Sequence, residues 1–366
     1  MKIIQNYFKE NPNLWASIRL IFFLYVFLLS LDLMGGALKL FGKDFSETLI
    51  QTTSNPFVGL FIGILATSIV QSSSSTTSIV VGMVAGGALT IDTAIPIIMG
   101  ANIGTSITNT IASLPQINRS AEFQRAFAAA TVHDFFNFLS VLILFPLQLT
   151  TNFLGKISYQ LEKMFEDVGG MDFLSPVKAI TKPVVKLAAE SFESVPWLML
   201  IIAIFLLFFA LKYMVGALKQ LVVTKAKNWF DKILFKNSAR AFVVGILLTV
   251  LVQSSSITTS LVVPMAGAGL LTLMQIFPYT LGSNIGTTIT AILAALITGE
   301  VAAVVVAFSH LMFNVCGIII WWPWKWVPVR LAQKFAEYSL KSKLVPIGYV
   351  LIMFFIVPLL VIFIFN

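Results

Sequence analysis

Two serine clusters stand in an otherwise apolar chain, and their hydroxyls are well suited to hold a ligand. They lie at Ser72–Ser75 and Ser254–Ser256, each directly after a Val-Gln pair. Serine hydroxyls donate and accept hydrogen bonds, and a helix that begins after such a cluster presents free backbone N–H groups and the positive end of its dipole. This combination favours binding of an anion, phosphate above all.

A second pair of strings supplies neutral oxygen atoms for a cation. MGANIGTSIT begins at Met99 and LGSNIGTTIT at Leu281. Their glycines, which we expect to let the backbone bend and expose carbonyl groups, are Gly100, Gly104, Gly282 and Gly286. Their side-chain oxygens are those of Asn102, Thr105, Asn284 and Thr287. Because neither serine cluster contains lysine or arginine, we expect bound alkali cations to offset the anion's charge and to couple it to a driving ion.

One acidic residue lies deep in the apolar part of the first half of the chain. Asp134 is followed one turn later by Asn137, and Leu311 takes its place in the second half. An ionisable group inside a membrane span indicates function, so Asp134 is a candidate cation ligand. The alternative is a structural pair with His133 or with a neighbouring helix. For both histidines, His133 and His310, we favour packing or hydrogen bonding over metal binding, since no further metal-ligand pattern accompanies them.

Two other interpretations of the serines deserve weight. Ser, Thr and Gly in membrane helices commonly serve close packing and local hydrogen bonding, although their duplication together with the NIGT strings argues for more. A serine hydrolase is excluded by context, because the GxSxG elbow that exposes a nucleophile is absent. Catalysis also gives no reason for the serine clusters to occur twice.

The composition indicates whether these groups lie in a soluble protein or in a membrane protein. The 366 residues are 58% hydrophobic and 11% charged, whereas a soluble domain carries about 25% charged residues. We therefore expect an integral membrane protein whose spans are α-helices. The net charge of +8 is expected to set the orientation of loops at the bilayer and not to bind nucleic acid.

An internal repeat organises the spans. The serine and NIGT strings both recur 182 residues later, from Gln71 to Gln253 and from Asn102 to Asn284. Segments 57–88 and 240–272 are long enough to cross a membrane, but each is interrupted by its serines, so we predict re-entrant helical hairpins. We predict spanning helices near 15–40, 92–113, 126–149, 197–222, 275–297, 300–322 and 345–365.

The predicted fold is all-α, a polytopic membrane protein with two inverted repeats that each contain a re-entrant hairpin. Each half would cross the membrane an odd number of times, which requires opposite orientations. The halves are residues 1–150 and 197–323, separated by an extracytoplasmic linker, 151–196, and followed by a basic cytoplasmic loop and a final helix, 324–366. The basic loops 224–240 and 325–343 indicate a cytoplasmic N-terminus and an outside C-terminus.

At these motifs the sequence resembles the type II sodium/phosphate cotransporter family. The resemblance covers nearly the whole chain, in VQSSSSTTS, IPIIMGANIGTSITNTIASL, RAFAAATVHDFFNFLSVLILFPL, VQSSSITTS, YTLGSNIGTTITAILAAL and SHLMFNVCGIIIWWP. It implies a bacterial symporter of the cell (inner) membrane that imports inorganic phosphate with sodium by alternating access. The chain departs from animal members in its short linker without a cysteine pair. It also departs from some members near Arg119, where they carry an acid.

The resemblance also implies ligands. Phosphate would be held at the two serine clusters by Ser72, Ser73, Ser74, Ser254, Ser255 and Ser256. One sodium ion would be bound by Gln253, Ser254, Thr287 and Thr290. Further sodium ligands are expected among Gln71, Asn102, Thr105, Asp134, Asn137, Ser283 and Asn284. Because Asp134 retains the aspartate of electrogenic members, we expect electrogenic transport.

The expected protein is therefore not an enzyme and needs no cofactor, with Na+ serving only as the coupling ion. Its expected partners are phosphate, sodium and the lipid bilayer. Two alternatives stay open: the same scaffold transporting another small anion, sulfate or a dicarboxylate, and a membrane scaffold that binds phosphate without transporting it.

Overall fold

The computed structural model describes residues 12–42, 47–48, 50–51, 53–167, 175–226 and 237–365. Within these ranges every regular element is a helix, which confirms the predicted all-α class. The N-terminal lysines and most of the basic loop 224–240 lie outside the described residues.

The first half contains a long helix, a helical hairpin and the helices that follow it. They are α1 (Pro12–Leu40), α2 (Pro56–Val70), α3 (Ser73–Ala85), α4 (Ile91–Thr105), α5 (Ile107–Ser113) and α6 (Ser120–Thr151). The linker contributes α7 (Phe153–Asp167) and α8 (Ser175–Ser191).

The second half repeats this order. Its helices are α9 (Pro196–Ala226), α10 (Ser238–Val252), α11 (Ser255–Gly267), α12 (Leu273–Thr298) and α13 (Val301–Trp321). An amphipathic helix, α14 (Trp326–Ser339), leads to a C-terminal segment made of α15 (Leu344–Leu351), a π-helical turn (Ile352–Ile356) and α16 (Val357–Phe365).

Among the described residues, six helical segments are long and apolar enough to cross a membrane. They are Leu14–Leu40, Ser120–Thr151, Pro196–Tyr213, Leu273–Thr298, Val301–Trp321 and Leu344–Phe365. Large apolar side chains such as Phe22, Phe205 and Phe363 are exposed on these helices, as lipid contact requires. The predicted span 92–113 is instead divided at Ser106 between α4 and α5.

Both hairpins form at the predicted positions and with the same local geometry. Gln71 and Gln253 end the first arms in the left-handed conformation, with φ of 54° and 51°, which reverses the chain. Ser72 and Ser254 then cap the second arms by accepting hydrogen bonds from backbone N–H groups three residues later. The arms contain 15 and 13 residues in each hairpin, fewer than the ~20 that a full crossing needs.

The glycines of the NIGT strings act differently from the prediction. They lie inside regular helices, α4 and α12, so the expectation that they bend the backbone and expose carbonyls is wrong. A Cβ on Gly100 would lie 1.9 Å from the Leu60 carbonyl oxygen, and one on Gly282 would lie 2.0 Å from that of Phe242. These glycines therefore let α4 pack backbone to backbone on α2, and α12 on α10.

The two halves exchange packing partners. The second arm of the first hairpin, α3, packs against α12 and α13 of the second half. In return, α11 of the second hairpin packs against α5 and α6 of the first half. The long helices α1 and α9 pack directly on each other. This exchange carries both serine clusters to the boundary between the halves.

Candidate functional site

The two hairpin tips touch each other through a reciprocal pair of hydrogen bonds. The Ser74 hydroxyl donates to the backbone carbonyl of Gln253 at 3.4 Å, and the Ser256 hydroxyl donates to that of Gln71 at 3.3 Å. These four residues are pairwise equivalent in the repeat, so the contact is symmetric. The tertiary structure thus brings the two serine clusters into one site.

Each tip directs a helix N-terminus toward this contact. The first N–H groups of α3 and α11 belong to residues of the serine clusters, and they have no carbonyl partner one turn earlier within the helix. The clustered serines of both arms are buried, whereas the Ser72 and Ser254 caps are partly exposed. The contact region therefore combines hydroxyls, free N–H groups and two positive helix-dipole ends without any basic side chain in the clusters.

Beside the tips, an asparagine of each half bonds to a histidine of the other half. Asn284 of α12 accepts a hydrogen bond from His133 Nε2 of α6 at 2.7 Å. Asn102 of α4 occupies the equivalent position and accepts from His310 Nε2 of α13 at 3.3 Å. The two histidines thus make the hydrogen bonds that we predicted for them.

A continuous chain of hydrogen bonds joins the second tip to this centre. The Thr259 hydroxyl, near the Ser255 carbonyl at 2.7 Å, also reaches Asn109 Oδ1 at 2.8 Å. Asn109 Nδ2 then donates to His133 Nδ1 at 3.2 Å. Since Nδ1 accepts this bond, the ring proton must be on Nε2, which donates to Asn284.

The same chain continues to the first half. Asn284 Nδ2 donates to Asn137 Oδ1 at 3.0 Å, and Asn137 Nδ2 donates to the Asn102 carbonyl at 2.7 Å. Three predicted sodium ligands, Asn102, Asn137 and Asn284, therefore lie in one buried network.

The second half lacks one member of this network. The repeat relates Thr259, Asn109 and His133 to Thr77, Ala291 and His310. Alanine cannot replace the amide, and both polar atoms that would face it, Thr77 Oγ1 and His310 Nδ1, are buried without a partner. The polar network is therefore built around the first half.

Asp134 lies at the end of this asymmetric cluster. One carboxylate oxygen, Oδ2, accepts from the hydroxyls of Tyr349 at 2.8 Å and Thr110 at 3.2 Å. The other oxygen, Oδ1, is buried and accepts no hydrogen bond; the Ser106 hydroxyl also lies beside the carboxylate but donates to the Ile103 carbonyl at 2.7 Å. Asp134 thus makes no hydrogen bond to His133 but does pair with two neighbouring helices, through Thr110 of α5 and Tyr349 of α15, which is the second form of the alternative left open above.

The remaining predicted sodium ligands lie at the hairpin tips or on the helices that pack against the hairpins. Thr105, Thr287 and Ser283 are buried and donate to carbonyls one turn earlier in their own helices, so their oxygen lone pairs stay free for a cation. Thr290 is also buried on α12. Gln253 Oε1 is buried without a partner, whereas the Gln71 side chain is exposed.

Four residues of the network were not predicted from the sequence: Asn109, Thr110, Thr259 and Tyr349. Asn109 and Thr110 were signalled by the repeat, because Ala291 and Ile292 replace them in the second half. Tyr349 carries no such signal, since it lies outside both repeats.

In the part of the chain that the structure describes, no group of three or more His, Cys, Asp or Glu residues is arranged to hold a metal ion. The buried cluster therefore offers neutral oxygens and one carboxylate, a donor set that suits a hard cation.

Comparison with known proteins supplies an independent finding. The sequence profile of the family described as Na+/Pi-cotransporter matches residues 26–175 and 206–319. The chain is 35% identical to sodium-dependent phosphate transport protein 2B of Homo sapiens, over 94% of this chain and 64% of that protein. It is 34% identical to protein 2A of Ovis aries, over 98% of this chain and 69% of that protein.

Protein 2A of Rattus norvegicus is also 34% identical, over 93% of this chain and 66% of that relative. The chain therefore spans somewhat under two thirds of the length of the 2B relatives that it matches. No solved structure matches it significantly.

Proposed function

The chain belongs to the Na+/Pi-cotransporter family, and from this membership we propose that it is a sodium-coupled symporter importing inorganic phosphate across the cell membrane. The proposed transport is electrogenic and proceeds by alternating access. The observation that carries the proposal is the reciprocal contact between the two serine tips.

Phosphate binding at the tips follows from the chemistry assembled there. Two helix N-termini and hydroxyls from both halves meet at the tip contact, and each free N–H or hydroxyl can donate to a phosphate oxygen. Their contribution is directional and carries no formal charge, so the bound anion needs cations nearby. The proposed ligands are Ser72, Ser73, Ser74, Ser254, Ser255 and Ser256.

Two groups of oxygens are the proposed sodium sites. The first consists of Gln253, whose Oε1 is buried without a partner, with Ser254, Ser283, Thr287 and Thr290. The second consists of Asp134, whose Oδ1 is buried without a partner, with Gln71, Asn102, Thr105, Asn137 and Asn284. An unpaired oxygen buried in protein is costly, and a bound cation at each group would remove that cost.

Electrogenic transport follows from the carboxylate. The second half carries Leu311 at the position of Asp134, so the pair of halves contains one extra negative charge. A sodium ion bound there adds a positive charge to each transport cycle.

The exchanged packing of the halves supports alternating access, because tilting one hairpin with its partner helices opens the shared tip contact to one side.

Uptake of labelled phosphate into proteoliposomes, with the membrane potential clamped, tests this function. We expect uptake to require an inward sodium gradient and to carry net positive charge inward. Asp134→Gly is expected to lower the charge moved per phosphate, whereas Glu122→Gln, at an exposed ion pair with Arg119, is expected to leave it unchanged.

The same assay separates the alternatives. Sulfate or dicarboxylate uptake that phosphate fails to compete would assign another anion to the scaffold. Phosphate binding without uptake under any sodium gradient would identify a binding scaffold and contradict the proposal.

A further inference from the structure

We propose that Tyr349, which lies outside both repeats, is a positioning residue that holds Asp134 ready to bind sodium. This inference rests on the proposed function, and it concerns a contact between the C-terminal segment and the carboxylate. Tyr349 belongs to α15, and its hydroxyl donates to Asp134 Oδ2 at 2.8 Å.

The tyrosine ring is fixed on two sides. Phe335 of α14 meets it edge to face at a centroid distance of 4.9 Å, and Phe354 of the π-helical turn does so at 5.8 Å. Such contacts favour one ring orientation. The apolar part of Tyr349 is thereby fixed among aromatic rings, and its only polar side-chain atom is left to reach the carboxylate.

The two hydrogen bonds to Asp134 converge on one oxygen. Thr110 donates to Oδ2 at 3.2 Å from α5, and Tyr349 donates to the same atom from α15. Together they fix the rotation of the carboxylate and leave Oδ1 as its buried, unpartnered atom. We infer that Oδ1 is the oxygen presented to the cation, while Oδ2 is held by the protein.

The C-terminal segment also touches the first hairpin. Val350 and Phe354 share an apolar cluster with Leu60 and Ile64 of α2, and α16 packs on the same helix. The π-helical turn, in which the Val357 N–H reaches the Ile352 carbonyl, accommodates Pro358 directly after it, and such turns are frequent at functional sites. A displacement of the first hairpin therefore moves Tyr349 relative to Asp134 and changes the cation site.

The test measures the sodium concentration that gives half-maximal phosphate uptake at saturating phosphate, using full-length protein in proteoliposomes. For Tyr349→Phe we expect this concentration to rise about tenfold, the size of one lost hydrogen bond to a charged group. The phosphate KM at saturating sodium is expected to change less than twofold. Tyr338→Phe is the matched control, because Tyr338 is exposed, and it should behave as the wild type.

A double-mutant comparison separates positioning from general damage. If Tyr349 acts through Asp134, Tyr349→Phe should add no further change in an Asp134→Asn background. An equal shift in both backgrounds would overturn the proposal, as would an unchanged sodium requirement in the single variant. If Asp134→Asn abolishes uptake, the sodium-induced shift in melting temperature of detergent-solubilised protein gives the same comparison.

The result that would contradict the role of Tyr349 differs from the result that would contradict the proposed function. Absence of sodium-dependent phosphate uptake by the wild type would contradict the symporter itself. Normal wild-type uptake with a sodium requirement that Tyr349→Phe leaves unchanged would contradict only the role of Tyr349.

Discussion

Several buried polar atoms at the site of this protein have no hydrogen-bond partner. Gln253 Oε1, Asp134 Oδ1, Thr77 Oγ1 and His310 Nδ1 are all of this kind. Leaving such an atom unsatisfied costs about 1–3 kcal/mol, so their presence among hydrogen-bonded neighbours indicates a region shaped for ligands and not for stability alone.

At the residue scale, Ser255→Ala tests the anion site. Removing a hydroxyl that donates to phosphate is expected to raise the phosphate KM about 10-fold or more, since such a bond to a charged group is worth about 1.5–3 kcal/mol. Ser191→Ala, at an exposed residue of α8, is the control. Phosphate-dependence curves of uptake give the comparison, and an unaltered KM would assign Ser255 to helix packing.

Ala291→Asn tests the missing member of the polar network. By the repeat, the new amide is expected to donate to His310 Nδ1 and accept from Thr77, as Asn109 does with His133 and Thr259. We expect a stabilisation of about 1 kcal/mol, measured as a higher melting temperature in detergent. Ala295→Asn, one turn further along α12 in the same apolar cluster, has no such polar pair assigned to it by the repeat and should destabilise instead. A lower melting temperature for both variants would argue against the symmetric geometry.

At the element scale, the hairpins depend on close backbone packing. Gly63 of α2 faces the Ile97 carbonyl, and Gly245 of α10 faces that of Tyr279, so that a Cβ would come within about 2 Å of the oxygen in each case. Both interfaces therefore use glycine from each helix, and the first arm of each hairpin is bound tightly to the helix that follows its second arm. Each tip is thus held by a closely packed pair of helices, α2 with α4 in the first half and α10 with α12 in the second.

Gly100→Ala tests this packing. Its Cβ would lie 1.9 Å from the Leu60 carbonyl oxygen, so α2 and α4 must separate. We expect a loss of about 1–3 kcal/mol or more, seen as a lower melting temperature and reduced uptake. Gly348→Ala is the matched control, because nothing lies within 4 Å of its Cβ position. Equal stability of the two variants would contradict the proposed role of the glycine contacts.

At the scale of the whole molecule, the two halves are interlocked. Each hairpin packs its second arm against helices of the other half, and each central asparagine bonds to the histidine of the other half. Neither half can therefore complete the site alone. The proposed inverted orientation of the halves further requires the linker and the basic loop after α13 to lie on opposite sides of the membrane.

Cysteine labelling tests that orientation. Cys316 is the only cysteine, so Cys316→Ala provides a background for single substitutions. In intact cells, an impermeant maleimide is expected to label Ser191→Cys in the linker but not Ser342→Cys beyond α14. Both positions are exposed, and Ser342→Cys should react once the cells are permeabilised. Labelling of both positions in intact cells would contradict the inverted repeat.

Much of the architecture could be predicted from the chain alone. A serine run cannot sustain a continuous apolar helix, and Gln71 and Gln253 precede such runs at equivalent positions, so both hairpins were predictable. The repeat also indicated that Asp134 has no acidic counterpart. The glycines were misinterpreted, because a glycine inside a helix reports close approach of another backbone only when that backbone is known.

The sequence by itself determined the membrane class, the helical repeat and the polar strings that must meet, because composition and periodicity are local properties of the chain. Only the tertiary structure decided which atoms meet. Ser74 contacts Gln253, Asn284 contacts His133, and Tyr349 contacts Asp134, each across more than a hundred residues. Such pairings follow from how the two halves interlock, and no spacing along the chain encodes the C-terminal tyrosine's position beside the acid.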